Sequence, residues 1–155
     1  MLCTVQARSI ELPEDVERDL RALARAAYPA EGCGLILGRP AQGSRPARAA
    51  RVAGARNAAP QRDRFEIDPG DLVAGVRAAR RDGLELLGLW HSHPDGPALP
   101  SAADAAGGVA GLSHVIVAVH GGRDRELASF ALAAGVFARE RLVRPSGADY
   151  DGRPA

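Results

Sequence analysis

Apolar positions along this chain fall into short segments of distinct period. Val16, Leu20, Leu23, Ala24 and Ala27 recur at helical spacing, which predicts an amphipathic helix over residues 13–28. Pro13 suits its first turn, Glu14, Asp15 and Glu17 sit near its positive end, and Pro29 stops it. Ahead of it, Thr4 to Leu12 alternates loosely, as an opening strand does. After it, Glu31 to Gly38 is an apolar run with glycines, read as a buried strand. A polar turn over 39–46 leads to a partner strand, Ala47 to Ala55, then a loop over Asn57 to Arg64 and a short strand at Phe65–Ile67. Asp68 is a good N-cap, Pro69 suits the first helical position, and the second helix runs to about Arg81.

Leu84 to Trp90 is a strongly apolar strand. Residues 91–100 hold three prolines and a glycine and read as loop; 101 to about 112 predicts a short, glycine-weakened helix. Strands over 114–120, 126–133 and 136–143 follow, and the tail beyond Pro145 is expected to fray. Strands outnumber helices and cluster in runs, so the expected class is α+β in α/β/α layers, with a mixed sheet between helices. The expected organisation is one domain over residues 1–145 and a flexible tail over 146–155.

Composition changes this picture little. The 155 residues are 46% hydrophobic and 25% charged, as in an ordinary globular domain. A net charge of +1 leaves no footprint for nucleic acid. No apolar run approaches the ~20 residues needed to span a bilayer. The opening MLCTVQARSI has no basic segment followed by an apolar one, so a cytoplasmic location is expected. Cys3 and Cys33 are expected to be unpaired, with Cys33 a small buried hydrophobe between Gly32 and Gly34. All 20 basic residues are arginine, so the chain offers no lysine side chain for isopeptide conjugation.

The candidate chemistry lies in His91-Ser92-His93-Pro94, six further residues, and Ser101-Ala102-Ala103-Asp104. On extended backbone, residues i and i+2 point the same way, so His91 and His93 can converge on one point. Neutral imidazoles are good zinc ligands, and a carboxylate is the usual third in a hydrolytic site that keeps one position open. Each part also has a plainer reading. An H-x-H pair alone is a weak signal, and Ser101-x-x-Asp104 also fits a helix start with Ser101 as N-cap. His114 and His120, at the two ends of a separate strand, read as structural or surface residues.

The composite pattern H-S-H-P-x6-S-x-x-D, with an upstream glutamate in Glu31-Gly32-Cys33-Gly34-Leu35-Ile36-Leu37-Gly38, resembles the JAMM (MPN-plus) zinc metallopeptidase family, in its small stand-alone bacterial branch. The order of elements also matches, and the resemblance covers about residues 4–143. It implies a cytidine-deaminase-like JAMM fold whose mixed, mostly antiparallel sheet is flanked by helices. It implies one zinc ion per chain on His91, His93 and Asp104, Glu31 as the proton-handling base, and Ser101 as a donor to the oxyanion. Zinc lowers the pKa of bound water from about 16 to about 7, which suits this assignment.

The implied substrate is a small β-grasp protein of ubiquitin-like or sulfur-carrier type (ThiS/MoaD-like), cleaved at the peptide or isopeptide bond after its C-terminal Gly-Gly. The competing readings are a non-catalytic MPN scaffold, a relative of RadC-type proteins, and a zinc amidase acting on small molecules. Neither a nucleic acid nor a membrane partner is expected.

Overall fold

The computed structural model describes residues 8–59, 61 and 63–145. The first four residues of the expected opening strand, Cys3 and the tail beyond 145 lie outside the described residues. Seven strands and three helices follow in the order β1 (Ser9–Glu11), α1 (Glu14–Ala27), β2 (Cys33–Arg39), β3 (Ala47–Ala55), α2 (Pro69–Arg81), β4 (Glu85–Pro94), α3 (Ala102–Gly107), β5 (Ser113–His120), β6 (Arg123–Ala133) and β7 (Val136–Val143).

Local signals set the helices. The Pro13 carbonyl accepts from Glu17 N at 2.9 Å to open α1, whose Val16, Leu20 and Ala24 are buried. At α2 the Asp68 carboxylate accepts from Asp71 N at 3.0 Å, which satisfies one of the free amides of the first turn. α3 has only six residues, because Gly107 ends it and Gly108 is its C-cap, and helix continuation through two glycines costs backbone entropy. None of the helices among the described residues is long and apolar enough to cross a membrane.

The strands form one mixed sheet in the order β1-β3-β2-β4-β5-β6-β7. β2 pairs antiparallel with both β3 and β4, β5 with β6, and β6 with β7, whereas β4 and β5 run parallel. The expected layered sheet needs correction at its edges. β1 pairs in parallel with β3 on one side and β7 on the other, so the sheet closes into a barrel. Closure removes the open strand edges that a flat layer would leave.

Alternation along the strands then decides which residues meet which helix. Val115, Val117 and Val119 of β5 join Ile36, Leu87, Trp90 and the buried positions of α1 in the largest core cluster. The intervening Ile116 and Ala118 face the other way, packed with Ala98, Ala128 and Phe130. Leu35, Leu37 and Leu89 share that second face with Ala79 of α2. The indole of Trp90 donates to Ala53 O at 3.0 Å, passing directly over Gly34. A Cβ at Gly34 would run into both the Ala53 carbonyl and the indole nitrogen, so this crossing requires glycine.

Two local expectations also change. Phe65–Ile67 is not a strand; its sheet-type pairing is one isolated bridge between Asn57 and Ile67. Residues 91–94, expected as loop, continue β4, because His91, Ser92, His93 and Pro94 pair with Ile116, Val117, Ala118 and Val119. A parallel partner more than twenty residues away leaves no local trace in the sequence.

Candidate metal centre

Pairing fixes which way the two histidines point. His91 lies opposite Ile116 and His93 opposite Ala118, so both imidazoles stand on the sheet face away from α1. Cys33 of β2 lies opposite His91 on the other side, and Glu31 immediately precedes that strand. Ser92 points the opposite way and ties the two segments together: its Oγ accepts from Gly32 N at 2.8 Å, and its N–H donates to Gly32 O at 2.9 Å. The main chain that carries Glu31 is thereby stitched to the main chain that carries the histidines.

Asp104 arrives from α3. Ser101 is the N-cap of that helix, its Oγ accepting from Asp104 N at 3.1 Å, while Ser101 N donates to Asp104 Oδ2 at 2.6 Å. This reciprocal capping box orients the Asp104 carboxylate toward the histidines. The capping reading and the ligand reading of Ser101-x-x-Asp104 are therefore the same geometry. His91 Nε2 lies 3.0 Å from His93 Nε2 and 3.2 Å from Asp104 Oδ1, and His93 Nε2 lies 3.3 Å from Asp104 Oδ2.

These three side chains form a group that could hold a metal ion, their ligand atoms all within 4.8 Å of one another. Donors placed about 2.0–2.1 Å from a tetrahedrally coordinated ion stand roughly 3.3 Å apart, close to the separations found. Two imidazole nitrogens facing each other at 3.0 Å fit a shared cation between them. The donor set of two imidazoles and a carboxylate suits zinc chemically.

Burial and charge act differently on the members of this cluster. Burial pushes the Glu31 carboxyl up to about 7, with His93 opposing and the negative charges of Asp104 and Asp63 adding. Burial pushes His91 down, toward the neutral form a ligand needs, against the pull of Asp104. For Asp104 burial works upward, but hydrogen bonds from His91 and His93 outweigh it and hold the carboxyl well below the usual range. His93 is raised: burial opposes, and the Asp104 carboxylate and Pro97 carbonyl more than compensate. Glu31 Oε2 is buried and has no hydrogen-bond partner among the described residues. A buried carboxylate oxygen with nothing to bind is costly, and a water or ion at its tip would satisfy it.

The predicted residues His91, His93 and Asp104 are thus brought to one point, with Glu31 and Ser101 at its margin. His114 and His120 are not in this group. His114 is buried and bonded to Val109 O at 3.0 Å, and His120 Nε2 bonds Gly96 O at 2.9 Å. Cys33 is a buried free cysteine whose Sγ lies 3.7 Å from Ala55 O.

Sequence reasoning passed over the cover of the site. Phe65 stacks on His91 with ring centroids 4.2 Å apart and 19° between planes. Its loop hangs on Asn57, whose amide donates to Glu31 O at 3.2 Å and Arg64 O at 2.9 Å, while its Oδ1 accepts from Ala59 N and Glu66 N, each at 3.0 Å. An asparagine is common in loops, and no local pattern announces four such bonds.

The chain is 36% identical over 94 residues to a Thermus thermophilus protein named "Probable TtuB-protein conjugate cleaving protease", covering 60% of this chain and 59% of that one. It is 30% identical over 90 residues to a Pyrococcus furiosus "Desampylase", covering 57% and 60% respectively. The matched stretch is thus less than two-thirds of the length of either curated relative. In fold, the chain resembles the crystal structure of a JAB1/MPN domain protein from Archaeoglobus fulgidus at a TM-score of 0.52 and 16% identity, covering 88% of this chain and 99% of that one. The family described as prokaryotic homologs of the JAB domain matches residues 13–132, a span that begins at α1 and runs through both histidines and Asp104 into β6. On that match, with the histidine pair and the capped aspartate meeting as they do, this chain belongs to the prokaryotic JAB-domain family.

Proposed function

We propose that residues 1–145 form a single zinc metallopeptidase domain that hydrolyses a peptide or isopeptide bond after the C-terminal Gly-Gly of a small β-grasp protein of ubiquitin-like or sulfur-carrier type. The observation that carries this reading is the convergence of His91, His93 and Asp104 beside a buried, unpartnered carboxylate oxygen of Glu31. The relatives named as cleaving TtuB-protein conjugates and as desampylases support the substrate class. The reading takes the fold as cytidine-deaminase-like, with α1 on one sheet face and α2 on the other, and places the enzyme in the cytoplasm, in keeping with a free thiol at Cys33.

One zinc ion, held by His91, His93 and Asp104, would supply a Lewis acid able to bring the pKa of water to about 7. The chain's own groups do the rest. Glu31, poised near neutrality by burial, accepts a proton at its free Oε2 and returns it to the leaving amine. Ser101 uses its Oγ lone pair to cap α3, so its hydroxyl proton remains free to donate to the developing oxyanion, a contact worth about 3 kcal/mol of barrier. The Phe65 ring packed on His91 limits water beside that imidazole.

The test is to incubate the protein with a Gly-Gly-tailed carrier fusion, and separately with small amides, each with and without chelator. Chelator-sensitive release from the carrier fusion is expected. Cleavage of small amides alone would replace this reading with a small-molecule amidase, and cleavage of neither with a scaffold.

A further inference from the structure

Beyond the metal ligands, the loop that follows them is held by bonds the proposed chemistry does not use. Asp95 has φ +56, a left-handed backbone that disfavours most non-glycine residues, though aspartate tolerates it better than most. Both oxygens of its carboxylate are engaged: Oδ2 accepts from the Tyr28 hydroxyl at 2.9 Å, and Oδ1 from Gly121 N at 2.9 Å. Its own N–H donates to Val119 O at 2.8 Å. Tyr28 lies at the end of α1, and Gly121 in the turn between β5 and β6. One exposed side chain thereby joins three elements that are distant in sequence.

The next two residues extend the arrangement. Gly96 O accepts from His120 Nε2 at 2.9 Å, and Pro97 O lies 2.9 Å from His93 Nδ1. A carbonyl can only accept, so Nδ1 is the protonated nitrogen of the His93 ring. A ring that keeps its proton on Nδ1 ligates a metal through Nε2, the atom facing His91 and Asp104. Metal-binding histidines are commonly set this way by a carbonyl behind them.

We propose that Asp95 is a positioning residue for His93: by clamping the 95–97 turn to Tyr28 and to Gly121, it holds the Pro97 carbonyl where it accepts the hydrogen bond from Nδ1–H and turns Nε2 toward the metal. The residue touches neither the ion nor the substrate. Its left-handed backbone directs the chain from the end of β4 into that turn, and its two accepted bonds keep it there. The inference rests on the metal-centre reading above.

Three variants test it: Asp95→Gly, which keeps the left-handed backbone and loses both bonds; Asp95→Asn, which keeps an acceptor for Gly121; and Tyr28→Phe, which loses one bond and keeps the ring. The metal-free proteins are labelled with 15N at histidine, and the His93 tautomer is read by NMR at a pH high enough for the ring to be neutral. Zinc affinity is measured by competition with a chromophoric chelator, and folding is followed by the thermal midpoint. Asp95→Gly should mix the His93 tautomers and weaken zinc binding about 10- to 100-fold. Asp95→Asn should recover part of that affinity, because it keeps an acceptor for Gly121 that is about half as strong as a charged one. Zinc affinity in Asp95→Gly within about threefold of the unaltered protein, or His93 still held as the Nδ1–H tautomer, would overturn the proposal. Equal losses in the Gly and Asn variants would do the same. Should Asp95→Gly not fold, Tyr28→Phe decides, and an unchanged zinc affinity and tautomer there refutes the clamp. If the unaltered protein bound no zinc, the metal-centre reading would fail, while the tautomer measurement would still judge Asp95.

Discussion

Glu17 and Glu31 carry the same side chain, and the fold moves their carboxyls in opposite directions. Glu17, on α1, is partly buried, which works upward, but it faces Arg21 Nη2 at 2.8 Å and Arg144 Nε at 2.7 Å, and its carboxyl is held below the ordinary value. Asp124 joins the same cluster through Arg21 and Arg25 and is also lowered, although burial opposes. Every carboxylate there meets guanidinium groups, and the result is a brace between α1, β6 and the end of β7. Among the described residues, Glu31 meets no such guanidinium. Its Oε2 is an orphan, its neighbours include Asp104 and Asp63, and its carboxyl rises to about 7 while Asp104 falls. A paired cluster stabilises the fold; a cluster whose carboxyls are pushed apart is poised to exchange protons.

The largest effect expected from this contrast is at Glu31. Glu31→Gln should retain the metal yet lose about 10²- to 10⁴-fold in turnover, measured by hydrolysis of the carrier fusion beside elemental analysis. A normal rate would remove the base assignment. Asp104→Ala should cut metal occupancy from stoichiometric to a small fraction, and a full complement would reduce Asp104 to a helix cap.

Next comes the pH dependence of the metal-free protein. Glu31 has a folded value of about 7, above the ordinary unfolded carboxylate value near 4.3, so its ionisation disfavours the fold. The stability it permits is complete below about 4.3 and declines as pH rises through about 7, by on the order of 3 kcal/mol. Glu31→Gln should abolish that decline in denaturant titrations at pH 5 and 8, and a parallel decline in both proteins would dismiss the burial argument.

The two smallest effects separate the clusters. Phe65→Ala removes the stack on His91 and should weaken zinc binding severalfold, in line with about 0.5–1.5 kcal/mol for an aromatic pair. Glu17→Gln should cost about 1 kcal/mol of stability at neutral pH and leave metal affinity unchanged. Glu17 is lowered, so its contribution is present above the unfolded value near 4.3 and lost as pH falls through the lower folded value. A change in zinc affinity on Glu17→Gln would show the two clusters to be coupled.

The sequence by itself determined the features that depend on near neighbours. Helical spacing of Val16, Leu20 and Ala24 marked α1, Asp68 with Pro69 marked the start of α2, and β3 was legible to its end residues. The i, i+2 spacing of His91 and His93 put both rings on one side of whatever strand carried them. Tertiary structure alone decided what depends on partners far along the chain: the extension of β4 through Pro94 by pairing with β5, the closure of the sheet by β1, and the clamp at Asp95. Phe65 came to rest on His91 the same way, carried by the bonds of Asn57. Period and capping report contacts within about four residues, whereas strand pairing and side-chain clamps join positions tens of residues apart, and no local pattern records them.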